Sequence, residues 1–446
     1  MSRRRRRILT VLGGLLVVVA AALVAAYWYA RPLLLTGTGY AAHNACALKE
    51  ISGRTDAATD LPSNPLVPYL RTSMAEDGTA RTSLLGLLAG QSASPQRGHG
   101  CTLGEPAELP ARAMIDPAVN PVSDQEAVTD PAVQEAISRA FGDGVESGLP
   151  LGTRAVVVLS GGHIVGERYA DGFDEHTRQL GWSMSKSVAS LLTGRLVQEG
   201  VVELEQSGLR EEWTDERAQI SIEDLLRMRS GLAWDETYDL GTPITEMLYL
   251  EPDMAGFAAA QPLEHPIGSV QQYSSGSTNI LCSVLLDLAD ADAALMDELL
   301  FQPLGLTSAV WEADGAGMPV CSSYLWATPR DWAALGQFAL DGGEWNGTQL
   351  LPQDWMSQST TPVSAAQSDA DAYGLSWWLN VRPDGSLRFA ELPRDAYWMS
   401  GHDGQRVYVV PSADLVVVRM GFSPGVPPEE LRANELVGEL VGLLGR

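Results

Sequence analysis

Trp182-Ser183-Met184-Ser185-Lys186 opens an apolar helical pattern, with Val188, Leu191, Leu192 and Leu196 on a wide face and Gly200 as a stop. Residues three apart share a helix face, so the Ser183 hydroxyl and the Lys186 amine can meet. A serine is a weak nucleophile without a base, and burial lowers an amine's pKa towards that role. The helix N-terminus adds free N–H groups and a positive field that favour developing negative charge. A chance S-x-x-K on an exposed helix is the plain alternative. Against it stands the scarcity of lysine: the chain's 30 cationic residues include only two, Lys49 and Lys186. Lys49 has no comparable setting.

Outward from this helix, the chain reads as strands at both ends of a helical middle. Val133 to Phe141 is helical in pattern. Arg154 to Ser160 is apolar and β-branched, and Gly161-Gly162 turns it into His163 to Tyr169. Ile222 to Arg229 is a further helix, stopped at Ser230-Gly231. Gln405 to Val410 and Leu415 to Met420 form a second strand pair, and Pro427 to Leu444 closes the chain as an amphipathic helix. The expectation is an α/β fold of the α+β kind, with one antiparallel sheet built from distant segments, flanked by helices, plus a helical lobe.

Two later segments add chemistry. In Gln272-Tyr273-Ser274-Ser275-Gly276, Tyr273 beside a lysine can serve as a proton-transfer group, although a packed or turn tyrosine is the favoured reading of this segment alone. Ser400-Gly401-His402-Asp403-Gly404-Gln405 runs into the last strand pair. There Gly404 permits close backbone approach, and an N–H near Gln405 is a candidate oxyanion donor. A Ser/His/Asp triad through His402 and Asp403 is disfavoured, because Lys186 already supplies a base and G-x-S-x-G is absent.

In this order the elements resemble the serine β-lactamase and penicillin-binding superfamily, closest to its class C branch of β-lactamases, DD-peptidases, esterases and 6-aminohexanoate-dimer hydrolase. Ile222 to Leu232, Pro303-Leu304-Gly305, and Tyr373-Gly374 followed by Trp377-Trp378 extend the likeness over about residues 130 to 446. The resemblance implies acylation of Ser183, proton transfer by Lys186 and Tyr273, and substrate or oxyanion contacts from Ser275, His402, Gly404 and Gln405. Two departures stand out: Tyr-x-Asn is Tyr273-Ser274-Ser275, and the strand motif is His402-Asp403-Gly404. An aspartate there repels a substrate carboxylate. The expected substrates are therefore small neutral or amine-bearing esters and amides. A class C β-lactamase, a DD-peptidase or a non-catalytic envelope module remain the alternatives. No cofactor and no metal is expected. Trp182, Trp377, Trp378 and Trp398 are each weighed as core residues before pocket walls.

At the N-terminus, Arg3 to Arg7 precede Ile8 to Ala30, which carries no charge. That length spans a bilayer, the arginines favour a cytoplasmic N-terminus, and Tyr27, Trp28 and Tyr29 suit the far interface. A signal peptide is the rival, with a shorter apolar region. The expected organisation is a basic tip (1–7), an anchor (8–30), a membrane-proximal leader (31–110) and an extracytoplasmic hydrolase domain (111–446). Pro106, Pro110, Pro117 and Pro121 mark a linker or strap before the domain. A formal charge of −26 argues against nucleic acid as a partner. The acidic stretches Asp287 to Glu298 and Ser368 to Gly374 read as solvated surface. Among four cysteines, Cys46 and Cys101 are a candidate pair. Cys282, in an apolar run, reads as a small buried hydrophobe and not as a bonded one.

Overall fold

The computed structural model describes residues 3–62, 64–110, 112, 120–143 and 151–445. The linker position Pro117 and the expected boundary at 111 lie outside the described residues.

The apolar N-terminal stretch is helical, and its helix, α1 (Arg3–Glu50), continues well past Pro32. Its first half is solvent-exposed from Leu9 to Val24, and its second half is buried from Thr36 to Leu48 apart from the half-buried Tyr40. By length and composition α1 can cross a membrane. The buried half lies on a four-stranded antiparallel sheet, β1 (Leu70–Met74), β2 (Ala80–Leu84), β3 (Leu88–Gln96) and β4 (Gly100–Leu103). Ala42, Ala45 and Leu48 of α1 pack there against Ala80, Ala93 and Trp326.

The larger sheet joins distant segments, as its sequence pattern predicts. Its strands are β5 (Thr153–Ser160), β6 (His163–Tyr169), β7 (Trp378–Leu379), β8 (Tyr397–Gly401), β9 (Gln405–Val410) and β10 (Leu415–Gly421). The order is β7-β8-β9-β10-β5-β6, and every neighbouring pair is antiparallel. Alternate residues face opposite sides. Val157, Leu159, Val407, Val409, Val416 and Val418 join the main core with the helices α3 (Met184–Gln198), α4 (Ser275–Leu288) and α5 (Pro329–Leu340). Val156, Val158, Tyr408, Val410 and Val417 meet α2 (Pro131–Ala140) and α6 (Ala433–Leu444) on the other side. Helices cover both faces, so β9 and β10 are buried along their whole length and carry long apolar runs in place of strict apolar–polar alternation.

Pro427 to Leu444, expected as one helix, is a short 3₁₀ turn at Pro428–Glu430 followed by α6. Arg432 between them has φ +58°, which interrupts the helix.

Two disulfides tie the architecture together, Cys46–Cys101 and Cys282–Cys321. The first agrees with the candidate pairing. The second corrects the reading of Cys282: it is buried, as its apolar run implies, but its partner arrives on a loop remote in sequence.

Candidate active site

The turn into α3 is sterically tight. Trp182 has φ +49°, a left-handed conformation unusual for a bulky residue and found where surrounding structure enforces it. A Cβ on Gly181 would lie 2.2 Å from the Trp332 ring, so only glycine fits. Ser183 occupies the N-cap position of α3, but its side chain makes no capping bond. It accepts instead from Lys186, whose Nζ is 2.9 Å from Ser183 Oγ.

Lys186 is fully buried, and its Nζ also donates to Ser275 Oγ (2.8 Å) and the Ser322 carbonyl (3.0 Å). Burial pushes its pKa down to about 8; the Glu236 carboxylate, 3.9 Å away, pulls partly back. A base that is neutral near pH 8 can accept a serine proton.

Tyr273 stands over the same group, with Lys186 Nζ 4.9 Å from its ring centroid. It stacks on Trp378 at 5.4 Å and meets Tyr373 edge-on. Burial, reinforced by Glu236, raises its pKa, while hydrogen bonding with Ser183 works in the opposite direction. Of the four tryptophans, Trp377 and Trp398 are core, and Trp182 and Trp378 border the site.

The remaining predicted positions divide. Ser275, the first residue of α4, is wholly buried and belongs to the lysine's hydrogen-bond network, away from any substrate-facing surface. His402 lies at the rim, stacked on Tyr238 at 4.3 Å and edge-on to Trp182 at 5.6 Å. Its Nε2 is 3.5 Å from Asp403 Oδ1, and the Ser183 hydroxyl is met by Lys186 instead. The Gly404 carbonyl accepts from the buried Arg419 guanidinium, and a Cβ on Gly404 would lie 2.5 Å from that group. The Gln405 side chain is turned inward and holds Gly421 through both its oxygen and its nitrogen. The side chains of Ser275 and Gln405 thus brace the site, and the backbone pairing of Gln405 with Gly401 closes the β8–β9 hairpin. Gly401 itself packs on the turn before Ser183: a Cβ would fall 2.1 Å from the Gly181 carbonyl.

Glu236 was not anticipated. It accepts from Ser275 Oγ (2.5 Å), Ser275 N–H (2.8 Å) and Trp234 Nε1 (2.6 Å), placing a carboxylate at the N-terminus of α4 beside Lys186. It lies four residues beyond Leu232, the end of the family-like stretch, in Trp234-Asp235-Glu236. Nothing in that spacing announces a lysine partner.

A cavity of about 690 Å³ is lined by Trp182, the residue before Ser183 in the chain, together with Tyr238, His402 and Asp403. The Asp403 side chain is 4% exposed, and its Oδ2 has no hydrogen-bond partner among the described residues.

A profile described as Beta-lactamase matches residues 149–441. Over 302 residues the chain is 24% identical to a 6-aminohexanoate-dimer hydrolase of Paenarthrobacter ureafaciens, covering 61% of this chain and 73% of the relative. A solved Bacillus anthracis structure, provisionally named a 6-aminohexanoate-dimer hydrolase, aligns with TM-score 0.59 at 21% identity, over 75% of this chain and 90% of that one. A β-lactamase/D-alanine carboxypeptidase from Yersinia pestis aligns with TM-score 0.54 at 17% identity, over 69% and 98%. Both structural likenesses speak to the fold.

Proposed function

The chain belongs to the β-lactamase family, and on that premise we propose that it is a membrane-anchored serine hydrolase that opens ester or amide bonds through an acyl-enzyme on Ser183. The observation that carries the reading is the 2.9 Å contact between Ser183 Oγ and a buried lysine whose pKa is near 8.

Neutral Lys186 takes the Ser183 proton as Oγ attacks the substrate carbonyl carbon. The resulting oxyanion faces the N-terminus of α3, where the Ser183 N–H and the helix field favour it. Tyr273, kept protonated by its raised pKa, gives its proton to the leaving alcohol or amine and is reprotonated from Lys186. Water then attacks the acyl-enzyme while the same pair takes its proton and returns one to Ser183. Glu236 is a positioning residue: it holds Ser275, and Ser275 holds Lys186.

The choice of substrate follows from charge. Asp403, buried with an unpartnered oxygen on the cavity wall, and a net charge of −26 both disfavour a substrate carboxylate near His402. They support neutral or amine-bearing esters and amides. The curated relative's name, a hydrolase of a 6-aminohexanoate dimer, supports the same class. The apolar first half of α1 supports anchoring, and the arginines before it support a cytoplasmic N-terminus with the catalytic body outside.

Intact-mass spectrometry after exposure to a panel of esters and amides tests the reading. The wild-type chain is expected to gain an acyl mass. Ser183→Ala loses this together with fluorophosphonate labelling, and kcat/KM falls at least about 10³-fold. Full turnover by Ser183→Ala would exclude the mechanism, and acylation without turnover would favour a binding module.

A further inference from the structure

The cavity that Trp182 lines is not made by the hydrolase fold alone. Leu33, Thr36, Gly37 and Tyr40 line it, and they recur at the spacing of a single helix face. That face belongs to α1, the helix whose earlier residues form the anchor. Leu33 follows the uncharged stretch by three residues, so the cavity begins about 5 Å beyond the anchor, and Tyr40 lies about 15 Å along the axis. Pro65, Leu66 and Leu240 supply the facing apolar wall, and Trp182, the chain neighbour of Ser183, lines it together with His402.

A second feature sets the body's height on the bilayer. The β2–β3 hairpin tip carries Leu85 and Leu87, 58% and 87% exposed, a costly display in water. Just beyond this tip, the Ala89 N–H donates to the Tyr27 hydroxyl at 3.0 Å, tying the hairpin to the end of the uncharged stretch. Trp28 and Tyr29 project there, exposed, with the Arg31 guanidinium 5.4 Å over the Trp28 ring. Aromatic residues and an arginine together mark the level of the lipid headgroups. The carbonyl of the same Ala89 accepts from Thr38 Oγ1 at 2.7 Å, so the base of the tip lies alongside the stretch of α1 from Tyr27 to Thr38.

We propose that the Ser183 site acts on membrane-borne amphiphiles. The acyl chain of an ester or amide passes from the outer leaflet into the cavity between α1 and Leu66, with the hairpin tip seated in the bilayer. This rests on the serine-hydrolase and anchor readings above and names their substrate class. The bond changes are those of hydrolysis: the acyl carbon forms a bond to Ser183 Oγ and loses the leaving oxygen or nitrogen, which takes a proton, and water then releases a fatty acid. A volume of about 690 Å³ lies within the roughly 300–1,000 Å³ of small-molecule sites and accommodates a medium-length chain. The bilayer is favoured over a protein partner as the cover for the leucines, because the same helix that carries the headgroup markers walls the cavity.

The test uses the full chain reconstituted in mixed phosphatidylcholine and phosphatidylglycerol vesicles, with p-nitrophenyl dodecanoate in the bilayer and p-nitrophenyl acetate in the water. We expect kcat/KM for the dodecanoate to exceed that for the acetate by at least about tenfold. Leu87→Asp should lower dodecanoate turnover at least about fivefold and leave acetate turnover within about twofold. Leu66→Trp, which fills the cavity, should move the chain-length optimum to shorter acids. Ser183-dependent acetate cleavage with a flat or falling chain-length profile overturns the inference and leaves the hydrolase standing. Dodecanoate turnover untouched by Leu87→Asp overturns the role of the hairpin. Turnover of neither ester, without Ser183-dependent fluorophosphonate labelling, overturns both readings.

Discussion

Lys186 is held by two opposing influences. Burial disfavours its ammonium, and Glu236 at 3.9 Å favours it, leaving a pKa of about 8. If the neutral amine is the base, kcat/KM rises with pH and levels off above about pH 8. Glu236→Gln keeps an oxygen for the Ser275 and Trp234 donors but removes the charge that stabilises the ammonium. The lysine pKa therefore falls, and the acid limb of the profile moves to lower pH, with a stability cost of about 1–2 kcal/mol from weaker hydrogen bonds. A pH–rate profile of the variant checks this. A limb that stays in place while the rate drops would assign Glu236 to packing alone. The single lysine that made the sequence readable thus depends on a carboxylate that the sequence did not single out.

Among the elements, the loop carrying Cys321 has an unusual position. It offers the Ser322 carbonyl to Lys186 and is bonded to Cys282 in the middle of α4. The disulfide closes a separation of 39 residues, and its loss costs up to about 4 kcal/mol. Cys282→Ser is expected to lower Tm by several degrees without reductant, and the gap to wild type should close when both are reduced. Because Ser322 adjoins Cys321, kcat should fall more than in Cys46→Ser; equal kcat values would detach the loop from the lysine. The strands β5, β6, β9 and β10 were legible to within about a residue, since apolar runs and glycine turns are local signals. Ser183, Lys186 and Tyr273 were legible through ordered motifs. Cys282–Cys321 and Glu236 were not, because each depends on two segments meeting in space. The continuation of α1 to Glu50 was obscured by Thr36-Gly37-Thr38-Gly39, poor helix formers. Tertiary contacts override that weakness: Thr38 Oγ1 donates to the Ala89 carbonyl, and Gly39 packs so close to Tyr249 that a Cβ would lie 2.8 Å from its carbonyl.

At the scale of the molecule, the question is what keeps α1 and its small sheet seated on the hydrolase body. Cys46–Cys101 bonds α1 to β4 of that small sheet, and two buried carboxylates link the pair to the body. Glu312, wholly buried, accepts from the Cys101 N–H at 2.8 Å and from Trp326 Nε1 at 2.6 Å. Asp60 is paired with Arg54 from its own segment and with Arg154 of β5. Burial works against the Asp60 carboxylate, but its two arginine partners outweigh this and its pKa is lowered. A carboxylate whose folded pKa lies below its unfolded value stabilises the fold at higher pH. That contribution fades as pH falls below about 4, the unfolded value, and through the folded one. Asp60→Asn leaves two largely buried guanidinium groups without their shared partner and should cost about 3 kcal/mol at neutral pH. Other carboxylates of this acidic chain also titrate below pH 4, so absolute stability is a poor readout. The difference between wild type and Asp60→Asn isolates the pair. Thermal unfolding of both should show a Tm gap that is full at pH 7 and shrinks towards pH 3. A gap that stays constant would mean that Asp60 holds the leader by shape and not by charge. Asp60 also precedes Pro62 and Asn64 on the cavity wall. Opening the ion pair therefore loosens the boundary on which long acyl chains would depend, and dodecanoate turnover should decline before acetate turnover as the pair is lost.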